Sequence, residues 1–438
     1  VFLTILLLWP FTTAFALTPK ADLNKKVMQG APGLNLPFVE NKGQVADPNV
    51  AYVADNVFVA GYSVTGQSDE QLFPVTPDAF DVTPINYYQH QGAIAKLDNN
   101  LSKVLAATYL GGHECDKMEC EDAVHCLAID ADGNLWAAGR TTYPDFPVTD
   151  DSFDPTYNGE GDVFLSKLDP DLSQLLMSTH IGGLENEAPS DILFDDQGNL
   201  FLLGWTYSSD FPIPDGGYQP DHGHNEEDGF ILKMTASGNE ILAGTFIGAA
   251  YDGSGKGDDV PTAMAFSADG GTLHVVGRTE SATFPTTADC FNNVIDNGDT
   301  SVTGSDVIGP TRDSDDPNWG DGFLVTFSTD LTQLIYSTFV GGDSCDYFDD
   351  VVVNGSDIII AGETQSLDFP MAIDDMSANY SRGILLRFSD TATTPTDPSD
   401  TDNPENTDDS GNGGGDSGGG DGGGGGCFVT TSAANSHK

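Results

Sequence analysis

Short apolar runs recur along residues 50–390, and each is bounded by glycine, proline, asparagine or aspartate. One kind of run, as at residues 135–139, ends in glycine and is followed by a Phe-Pro pair. The five pairs are Phe73-Pro74, Phe146-Pro147, Phe211-Pro212, Phe284-Pro285 and Phe369-Pro370. Apolar runs of about four to eight residues between turn signals are typical of buried β-strands. Each Phe-Pro pair therefore follows a predicted strand.

Three further runs occupy matched positions around each pair. One follows the pair, as at residues 163–168, one ends in Gly-Gly or a remnant of it, as at 108–112, and one precedes a tight turn, as at 127–130. Gly and Asn in that turn supply the positive φ angles of a hairpin. Four short antiparallel strands that recur as a unit are typical of a β-propeller. The sequence predicts an all-β propeller of four-stranded antiparallel blades, with five blades and with six or seven as alternatives.

The fifth unit stops after three predicted strands, at Ser389. An incomplete blade leaves an unpaired edge, which invites aggregation. Residues 36–39, Leu-Pro-Phe-Val, lie just before the first unit. We expect this N-terminal strand to complete the last blade and to close the ring.

The repeated motifs also resemble those of a known family. Residues 336–342 are Tyr-Ser-Thr-Phe-Val-Gly-Gly, Asp-Phe-Pro triplets begin at Asp145, Asp210 and Asp368, and several predicted strands end in Gly-x-Thr. In this order the motifs resemble the SBBP β-propeller repeat family. Residues 37–44, Pro-Phe-Val-Glu-Asn-Lys-Gly-Gln, are similar to the segment that precedes such repeats. The resemblance implies a propeller, and the family's name implies seven blades.

The predicted domain organisation begins with a targeting segment. Residues 1–16 form an apolar run that ends in Ala14-Phe15-Ala16, the small-residue pattern of a signal-peptide cleavage site, without a basic n-region. We expect residues 17–34 to be a flexible N-terminal segment and residues 35–390 to be the propeller. No other run approaches the length of a membrane span. We therefore expect a secreted or cell-surface protein with no transmembrane span in its mature form.

The composition changes after residue 390. Residues 391–426 are acidic and then glycine-dominated, which predicts a disordered linker. Residues 427–438 form a short tail that begins Cys427-Phe428-Val429 after the glycine run, and this tail resembles the bacterial CFI-box C-terminal segment. The resemblance implies that Cys427 is an attachment or processing residue. The alternative is an unpaired cysteine on a tail.

The charge excludes some partners. The chain has 16 Lys and Arg against 68 Asp and Glu, a formal net charge of −52. Such a chain repels nucleic-acid phosphates and anionic lipid surfaces. We expect no nucleic-acid partner, and we expect the partner to be an extracellular protein or polysaccharide.

Loop lengths predict a working face. The loops at residues 212–228 and 285–321 within units, and at 113–122 and 249–259 between units, are long and fall on one face of the predicted disc. Variable loops on a rigid scaffold commonly form binding surfaces, although surface insertions are also tolerated without function. These loops are acidic, and carboxylate oxygens suit Ca²⁺, which is the candidate cofactor. The candidate ligands are Asp116, Asp122, Asp258, Asp259, Asp349 and Asp350. Solvation of an acidic surface is the alternative, because no loop has the full calcium-binding pattern.

Export makes disulfides the expected state of the six cysteines. We predict that Cys290 pairs with Cys345, because both lie on loops of the same face. Cys115 is expected to pair with Cys120 or with Cys126. A zinc site with His113 or His125 is the rival for these cysteines, and a metal bound by His222 and His224 is a further alternative to a polar loop tip.

No catalytic motif was found in the sequence, and no catalytic residue is predicted. The leading hypothesis is an exported bacterial propeller that binds protein or polysaccharide through its long-loop face. The second is a propeller enzyme, a polysaccharide lyase or glycosidase, with its site in the central funnel. Buried carboxylates with shifted pKa values beside an Arg, Tyr or His at the funnel mouth would favour the enzyme. The third is a structural surface-layer component.

Overall fold

The computed structural model describes residues 50–53, 56–64, 73–85, 89–114, 120–223, 227–249, 257–295, 320–342, 344–366, 369–370, 382–389 and 428–429. These residues form β-strands, turns and connecting segments, and none of them is in a helix. No helix within these ranges is therefore long and apolar enough to cross a membrane. The predicted targeting segment, the flexible N-terminal segment, the linker and Cys427 lie outside the described residues.

The strands fall into five sheets. The first contains β1 (Val50–Val53), β2 (Asn56–Val64), β3 (His90–Asp98) and β4 (Val104–Leu110), and the second contains β5 (Asp122–Ile129), β6 (Leu135–Thr141), β7 (Asp162–Leu168) and β8 (Leu175–Ile181). The third contains β9 (Glu187–Phe194), β10 (Leu200–Thr206), β11 (Asp228–Met234) and β12 (Ile241–Ile247). The fourth contains β13 (Asp259–Phe266), β14 (Thr272–Thr279), β15 (Asp321–Ser328) and β16 (Leu334–Val340). The fifth contains β17 (Asp346–Asn354), β18 (Asp357–Thr364), β19 (Arg382–Ser389) and β20 (Phe428–Val429).

Every sheet is antiparallel, with its strands in chain order. The apolar runs at residues 135–139 and 163–168 lie in β6 and β7, and the tight turn after residue 130 joins β5 to β6. The all-β fold of four-stranded antiparallel sheets is thus confirmed, and it is consistent with a β-propeller-like architecture.

Each sheet packs on the next one in chain order. Trp136 and Leu165 of the second sheet share a buried cluster with Leu202 and Phe230 of the third. Similar clusters join the first sheet to the second, the third to the fourth and the fourth to the fifth. The first strands of successive sheets contact one another, so they form the common inner edge of the stack. The middle strands are buried on both faces, which explains their continuous apolar runs.

The phenylalanine of the Phe-Pro motif packs on its own sheet, which explains why the motif recurs. Phe146 stacks on Phe164 with ring centroids 4.4 Å apart, and Phe211 lies 4.3 Å from Phe230. The phenylalanine of each of the five Phe-Pro pairs is buried. The proline follows where the chain leaves the second strand, so no ladder hydrogen bond is lost.

The segments between second and third strands do not extend freely from one face. The Thr149 amide donates to the Ser178 carbonyl at 3.0 Å, and the His180 amide donates to the Asp154 carbonyl at 3.0 Å. Equivalent hydrogen bonds tie Thr76 to Ala107 and Thr287 to Ser337. The segments therefore run back along the outer, fourth strand and cover its edge, which protects the sheet from edge-to-edge pairing. In the described residues, the long-loop face is formed mainly by the connections between sheets.

The fifth sheet differs from the expectation at its outer edge. The predicted N-terminal strand, residues 36–39, lies outside the described residues. The structure places β20 beside β19, with Phe388 opposite Val429 and Ser389 opposite Phe428. A short apolar segment that reverses direction after β19 can supply an antiparallel partner, and here the C-terminal tail does so.

Candidate functional site

The second strand of each sheet carries a partly exposed residue at an equivalent position near its end. In β6 and β10 only the sixth residue, Arg140 or Trp205, is not buried. The pairing with the third strand aligns the equivalent residues, which are Tyr62, Arg140, Trp205, Arg278 and Glu363. All five are partly exposed, and we call them the second-strand row.

A repeated hydrogen bond fixes the row in space. Two positions after the row residue, a backbone amide donates to the carbonyl of the residue that precedes the first strand of the same sheet. The pairs are Thr142 to Glu121 at 2.9 Å, Tyr207 to Asn186 at 3.0 Å, Glu280 to Asp258 at 2.9 Å and Gln365 to Cys345 at 2.9 Å. Because the first strands form the inner edge of the stack, the row lies along that edge on the face where chains pass between sheets.

Arg140 is the centre of a polar network between the first three sheets. Its Nη1 lies 3.3 Å from Glu121 Oε2, and its Nη2 donates to Asn186 Oδ1. Glu121 Oε1 lies 3.2 Å from His90 Nδ1, and the His90 ring stacks on Tyr62 with centroids 4.3 Å apart. The Arg140 side chain is 24% exposed, so the guanidinium is held by protein yet open to solvent.

Neighbouring charges set the protonation of this network. The hydrogen bond from His90, with help from the charges of His90 and Arg140, lowers the pKa of Glu121. Burial lowers the pKa of His125, whose Nδ1 lies 3.3 Å from the Pro189 carbonyl oxygen. Glu121 is therefore ionised and His125 neutral near pH 7, and the Arg140 charge is balanced locally.

Trp205 supplies an aromatic surface in the row. Its ring meets the Tyr207 ring edge to face, with centroids 5.8 Å apart and an interplanar angle of 83°. Tyr207 Oη donates to Glu227 Oε1 at 2.9 Å. The Tyr207 ring is thus held by its hydroxyl as well as by its backbone, and it fixes the orientation of the Trp205 indole.

The fourth and fifth sheets continue the row with charged groups. Arg278 Nη1 lies 2.8 Å from Glu280 Oε1, and Tyr347 Oη donates to Glu363 Oε2 at 2.8 Å. Burial, and then this hydrogen bond to Glu363, raises the pKa of Tyr347. The row therefore presents aromatic, cationic and anionic groups in sequence along one edge.

A second set of acidic residues recurs at every junction and is structural. The first residue of β5, β9, β13 and β17 is a buried acid: Asp122, Glu187, Asp259 and Asp346. The Oδ2 atoms of three of them accept from the loop between sheets, Asp122 from the Gly112 amide at 2.8 Å, Asp259 from Ala249 at 2.8 Å and Asp346 from Gly342 at 2.7 Å. These carboxyls anchor the inter-sheet turns, which explains why the glycines precede them.

The six Ca²⁺ candidates are not brought together by the structure. Asp122 and Asp259 are turn anchors at different junctions, and Asp116 lies outside the described residues. Asp258 Oδ1 accepts from the Glu227 amide at 3.4 Å, Asp349 is exposed on β17, and Asp350 Oδ1 accepts from the Val351 amide at 2.8 Å. In the part of the chain that the structure describes, no group of three or more His, Cys, Asp or Glu could hold a metal ion. His222 is buried with its Nε2 3.1 Å from the Thr206 carbonyl oxygen, while His224 lies outside the described residues.

The predicted disulfide between Cys290 and Cys345 is wrong, because both are free thiols. Cys345 precedes β17 at the inner edge, whereas Cys290 lies on the segment that runs along the outer strand β16, where the Phe339 amide donates to the Asn292 carbonyl at 3.1 Å. Sharing a face did not bring the two loops together, because one is at the hub and the other at the rim. Cys126 is a buried free thiol, and Cys120 is buried. Cys115 lies outside the described residues, so its pairing with Cys120 stays a prediction.

The row was not recognised from the sequence, although a signal was present. Four row residues occupy the variable position of a repeated Gly-x-Thr at residues 139–141, 204–206, 277–279 and 362–364. Trp136 is buried in the core, as its place in a strand predicts, whereas Trp205 is partly exposed. A variable residue between a repeated glycine and a repeated threonine is the available indication.

Comparison with known proteins finds similarity in three-dimensional structure only. No family model matches the chain, and no curated protein matches its sequence. Among solved structures, a polysaccharide lyase of family PL25, an ulvan lyase, is 10% identical with a TM-score of 0.40, covering 78% of this chain and 68% of the lyase. The polysaccharide lyase Uly1 is 11% identical with a TM-score of 0.32 and 83% coverage of both chains. Kuenenia stuttgartiensis hydrazine synthase is 11% identical with a TM-score of 0.33, covering 74% of this chain and 66% of the synthase chain. At TM-scores below 0.5 these likenesses assign neither a shared fold nor a function, and the sheet topology of the chain itself establishes its architecture.

Proposed function

We propose that the chain is an exported bacterial β-propeller with its five sheets as blades, acting as an extracellular or cell-surface interaction module. Its partner is a protein or polysaccharide, bound through the second-strand row. The observation that carries this proposal is the contrast between the row and its surroundings. The row position is flanked by glycine and threonine in four sheets and by glycine and serine in the first, whereas the row position itself is Tyr, Arg, Trp, Arg and Glu.

A repeated framework that holds varied, partly exposed side chains along one edge is the arrangement by which repeat proteins form binding surfaces. The varied residues have no common structural task, since Trp205 and Arg278 occupy the same frame with different chemistry. The repeated acids and glycines do have such a task, because they anchor the turns between sheets. The residues of the second-strand row are therefore the better candidates for a role in binding.

Substitutions in the row are expected to reduce binding at least about 10-fold, which corresponds to about 1.4 kcal/mol. The proposal predicts this for Arg278→Ala and for Arg140→Ala, measured on arrays of extracellular polysaccharides and proteins and then by calorimetry on the hit. Leu242→Ser is the matched control, because Leu242 is 47% exposed on the outer strand β12. Thermal unfolding of each variant shows that the fold is intact.

The opposite pattern would contradict the proposal. A partner whose affinity falls with Leu242→Ser and is unchanged by both arginine variants binds at the rim. The row would then have no part in recognition.

A propeller enzyme is the second candidate, and one group of residues favours it. Asp162 and Glu187 flank Gly182, and burial raises the pKa of Asp162 to about 6 and that of Glu187 to about 8. Arg140 and Tyr157 are nearby, and burial raises the pKa of Tyr157 to about 12. A protonated acid beside a carboxylate is the pair that glycosidic cleavage uses. Both carboxyls are fully buried, however, and equivalent acids recur at other junctions, so the binding module is the better supported function.

An assay for cleavage of the bound polysaccharide distinguishes the two. A binding module leaves the polymer length unchanged on prolonged incubation. An enzyme shortens the polymer and loses that activity on Glu187→Gln, while the affinity for the polymer persists.

A further inference from the structure

We infer that the ligand of the second-strand row is a neutral saccharide, one ring of which stacks on Trp205. This inference rests on the proposed function, because it names the ligand class of the same surface. It is carried by the geometry around Trp205, by the types of polar group beside it and by the local balance of charge.

Trp205 is a prearranged stacking surface. The indole is partly exposed, and Tyr207 contacts it edge to face while its own hydroxyl is held by Glu227. The backbone amide of Tyr207 is also fixed, by the Asn186 carbonyl at 3.0 Å. An aromatic face that is already oriented loses little freedom on binding, and its apolar surface fits the C–H face of a sugar ring.

The groups on either side of Trp205 match adjacent hydroxyls. On the side of the second sheet lie the Asn186 amide and the Arg140 guanidinium, which are joined to each other. On the side of the fourth sheet lies the partly exposed Asp258 carboxylate, which accepts from the Glu227 amide at 3.4 Å, while the buried Glu227 carboxylate holds the Tyr207 hydroxyl. Sugar hydroxyls donate and accept at once, so a saccharide needs planar donors and acceptors within reach of one stacking surface.

The charges of the row favour a neutral ligand. Arg140 is balanced by Glu121, and Arg278 is balanced by Glu280, with separations of 3.3 and 2.8 Å. No described arginine of the row therefore offers an uncompensated charge to a polyanion. The formal charge of −52 on the whole chain repels polyanions further.

A protein partner fits this surface less well. The core of a protein interface is apolar and buries about 800 Å² on each side. The exposed aliphatic residues of the described chain include Leu105, Leu176, Leu242 and Ile335, one on each of the outer strands β4, β8, β12 and β16. These four side chains lie at the rim. The exposed large aliphatic side chains of the described residues near the row are Val64, at the end of β2, and Leu184, two positions before Asn186. Two isolated side chains do not form the apolar core that a protein interface needs.

Affinity electrophoresis and calorimetry test the inference, with laminarin and dextran as neutral probes and alginate as the anionic probe. We expect at least one neutral polysaccharide to retain the protein. Its affinity should be about equal at roughly 50 and 500 mM NaCl, because salt does not screen the binding of an uncharged ligand. Trp205→Ala is expected to weaken that binding roughly 10-fold or more, and Trp205→Phe to keep part of it. Tyr218→Ala is the matched control, because Tyr218 is 39% exposed on the segment that covers an outer strand.

Each remaining outcome overturns a stated part. The saccharide inference is overturned if the protein is retained by alginate alone and this retention weakens with salt. It is also overturned if the protein binds a neutral polysaccharide and Trp205→Ala leaves that affinity unchanged. Binding of a protein from the array that depends on Arg140 and Arg278, without retention by any neutral probe, also overturns it and leaves the proposed function standing. If substitutions in the row change the affinity for none of the probes and none of the array partners, both the saccharide inference and the proposed function are overturned.

Discussion

Gly139→Ala is expected to destabilise the protein by about 3 kcal/mol, at the upper end of the cost of overpacking a core. A Cβ at this position would lie 1.9 Å from the Ala123 carbonyl oxygen and 2.5 Å from the Phe164 ring. The carbonyl belongs to the neighbouring strand and cannot rotate away, and Phe164 is held by Phe146. The backbone of the sheet must therefore shift to admit one methyl group.

The first sheet contains a matched control for this substitution. Gly61 occupies the equivalent place in β2, but it pairs with Ala93, whereas Gly139 pairs with Phe164. Among the described residues other than its two chain neighbours, no heavy atom lies within 4 Å of a Cβ built on Gly61. Gly61→Ala should leave stability unchanged or slightly raised, since alanine restricts the unfolded chain.

Urea unfolding of the two variants measures the difference. Gly204→Ala is expected to behave like Gly139→Ala, because its Cβ would lie 2.4 Å from the Ala188 carbonyl oxygen and 2.6 Å from Phe230. Equal unfolding midpoints for Gly61→Ala and Gly139→Ala would show that the phenylalanine does not close over the glycine.

The same repeat shows what the sequence can reveal. The glycine, the Phe-Pro pair and the apolar runs predicted the sheets, because burial of both faces of a strand leaves a continuous apolar run. The path of the segment after the Phe-Pro pair was not predictable in this way. Its contacts with the outer strand combine backbone hydrogen bonds, such as that from the His180 amide to the Asp154 carbonyl, with hydrogen bonds to a threonine side chain that recurs on the outer strands, as at Thr179. A threonine in a predicted strand does not indicate which distant segment its hydroxyl will bind.

The candidate site was less predictable for a related reason. Arg140 and Asn186 are 46 positions apart, and their contact depends on how one sheet packs on the next. Periodicity assigns a residue to a face of its own strand but not to a partner on another sheet. The disulfide between Cys290 and Cys345 is wrong for this reason, since the Cys290 segment runs along the outer strand β16 whereas Cys345 precedes β17 at the inner edge.

Stability is expected to fall as the pH rises from 6.5 to 8, and Glu187 is the main identified cause. Its side chain is fully buried, Thr206 Oγ1 donates to its Oε1 at 3.1 Å, and its Oε2 faces Asp162 across Gly182. Burial first, and then the Asp162 carboxylate, raises the pKa of Glu187 to about 8. Asp162 accepts from the Asn158 amide at 2.9 Å, which favours its ionised form, so the pair holds one proton on Glu187.

The sign follows from proton linkage. Between the ordinary pKa of 4.5 and the folded value of about 8, folded Glu187 keeps a proton that the unfolded chain has released. The stabilisation is complete below pH 4.5 and is lost as the pH rises through the folded pKa, at up to about 1.4 kcal/mol per pH unit.

Other groups contribute to the pH dependence of stability as well. Burial raises the pKa values of Asp191 and Asp346 to about 6, so their contributions are lost mainly below pH 6.5. Burial lowers the pKa of His180 to about 4, and its contribution, present above pH 6.5, is lost as the pH falls.

Desolvation by the surrounding protein, and then the charge of Glu363, raises the pKa of Asp349 to about 7. Burial raises the pKa values of Asp122 and Asp259 well above their ordinary value. These groups therefore add to the slope of the wild type. The difference between the wild type and a Glu187 variant isolates the loss of the Glu187 proton.

Glu187→Gln tests this assignment, because the amide mimics the protonated acid at every pH. Unfolding free energies of the wild type and the variant, measured by urea at pH 6.5, 7.25 and 8, should diverge by about 1 kcal/mol per unit or more, with the variant the flatter. Glu185→Gln is the matched control, since Glu185 is exposed two positions away, and it should reproduce the wild-type slope. Parallel curves for the wild type and Glu187→Gln would mean that Glu187 is ionised in the folded protein. The assignment of a proton to Glu187 would then be wrong.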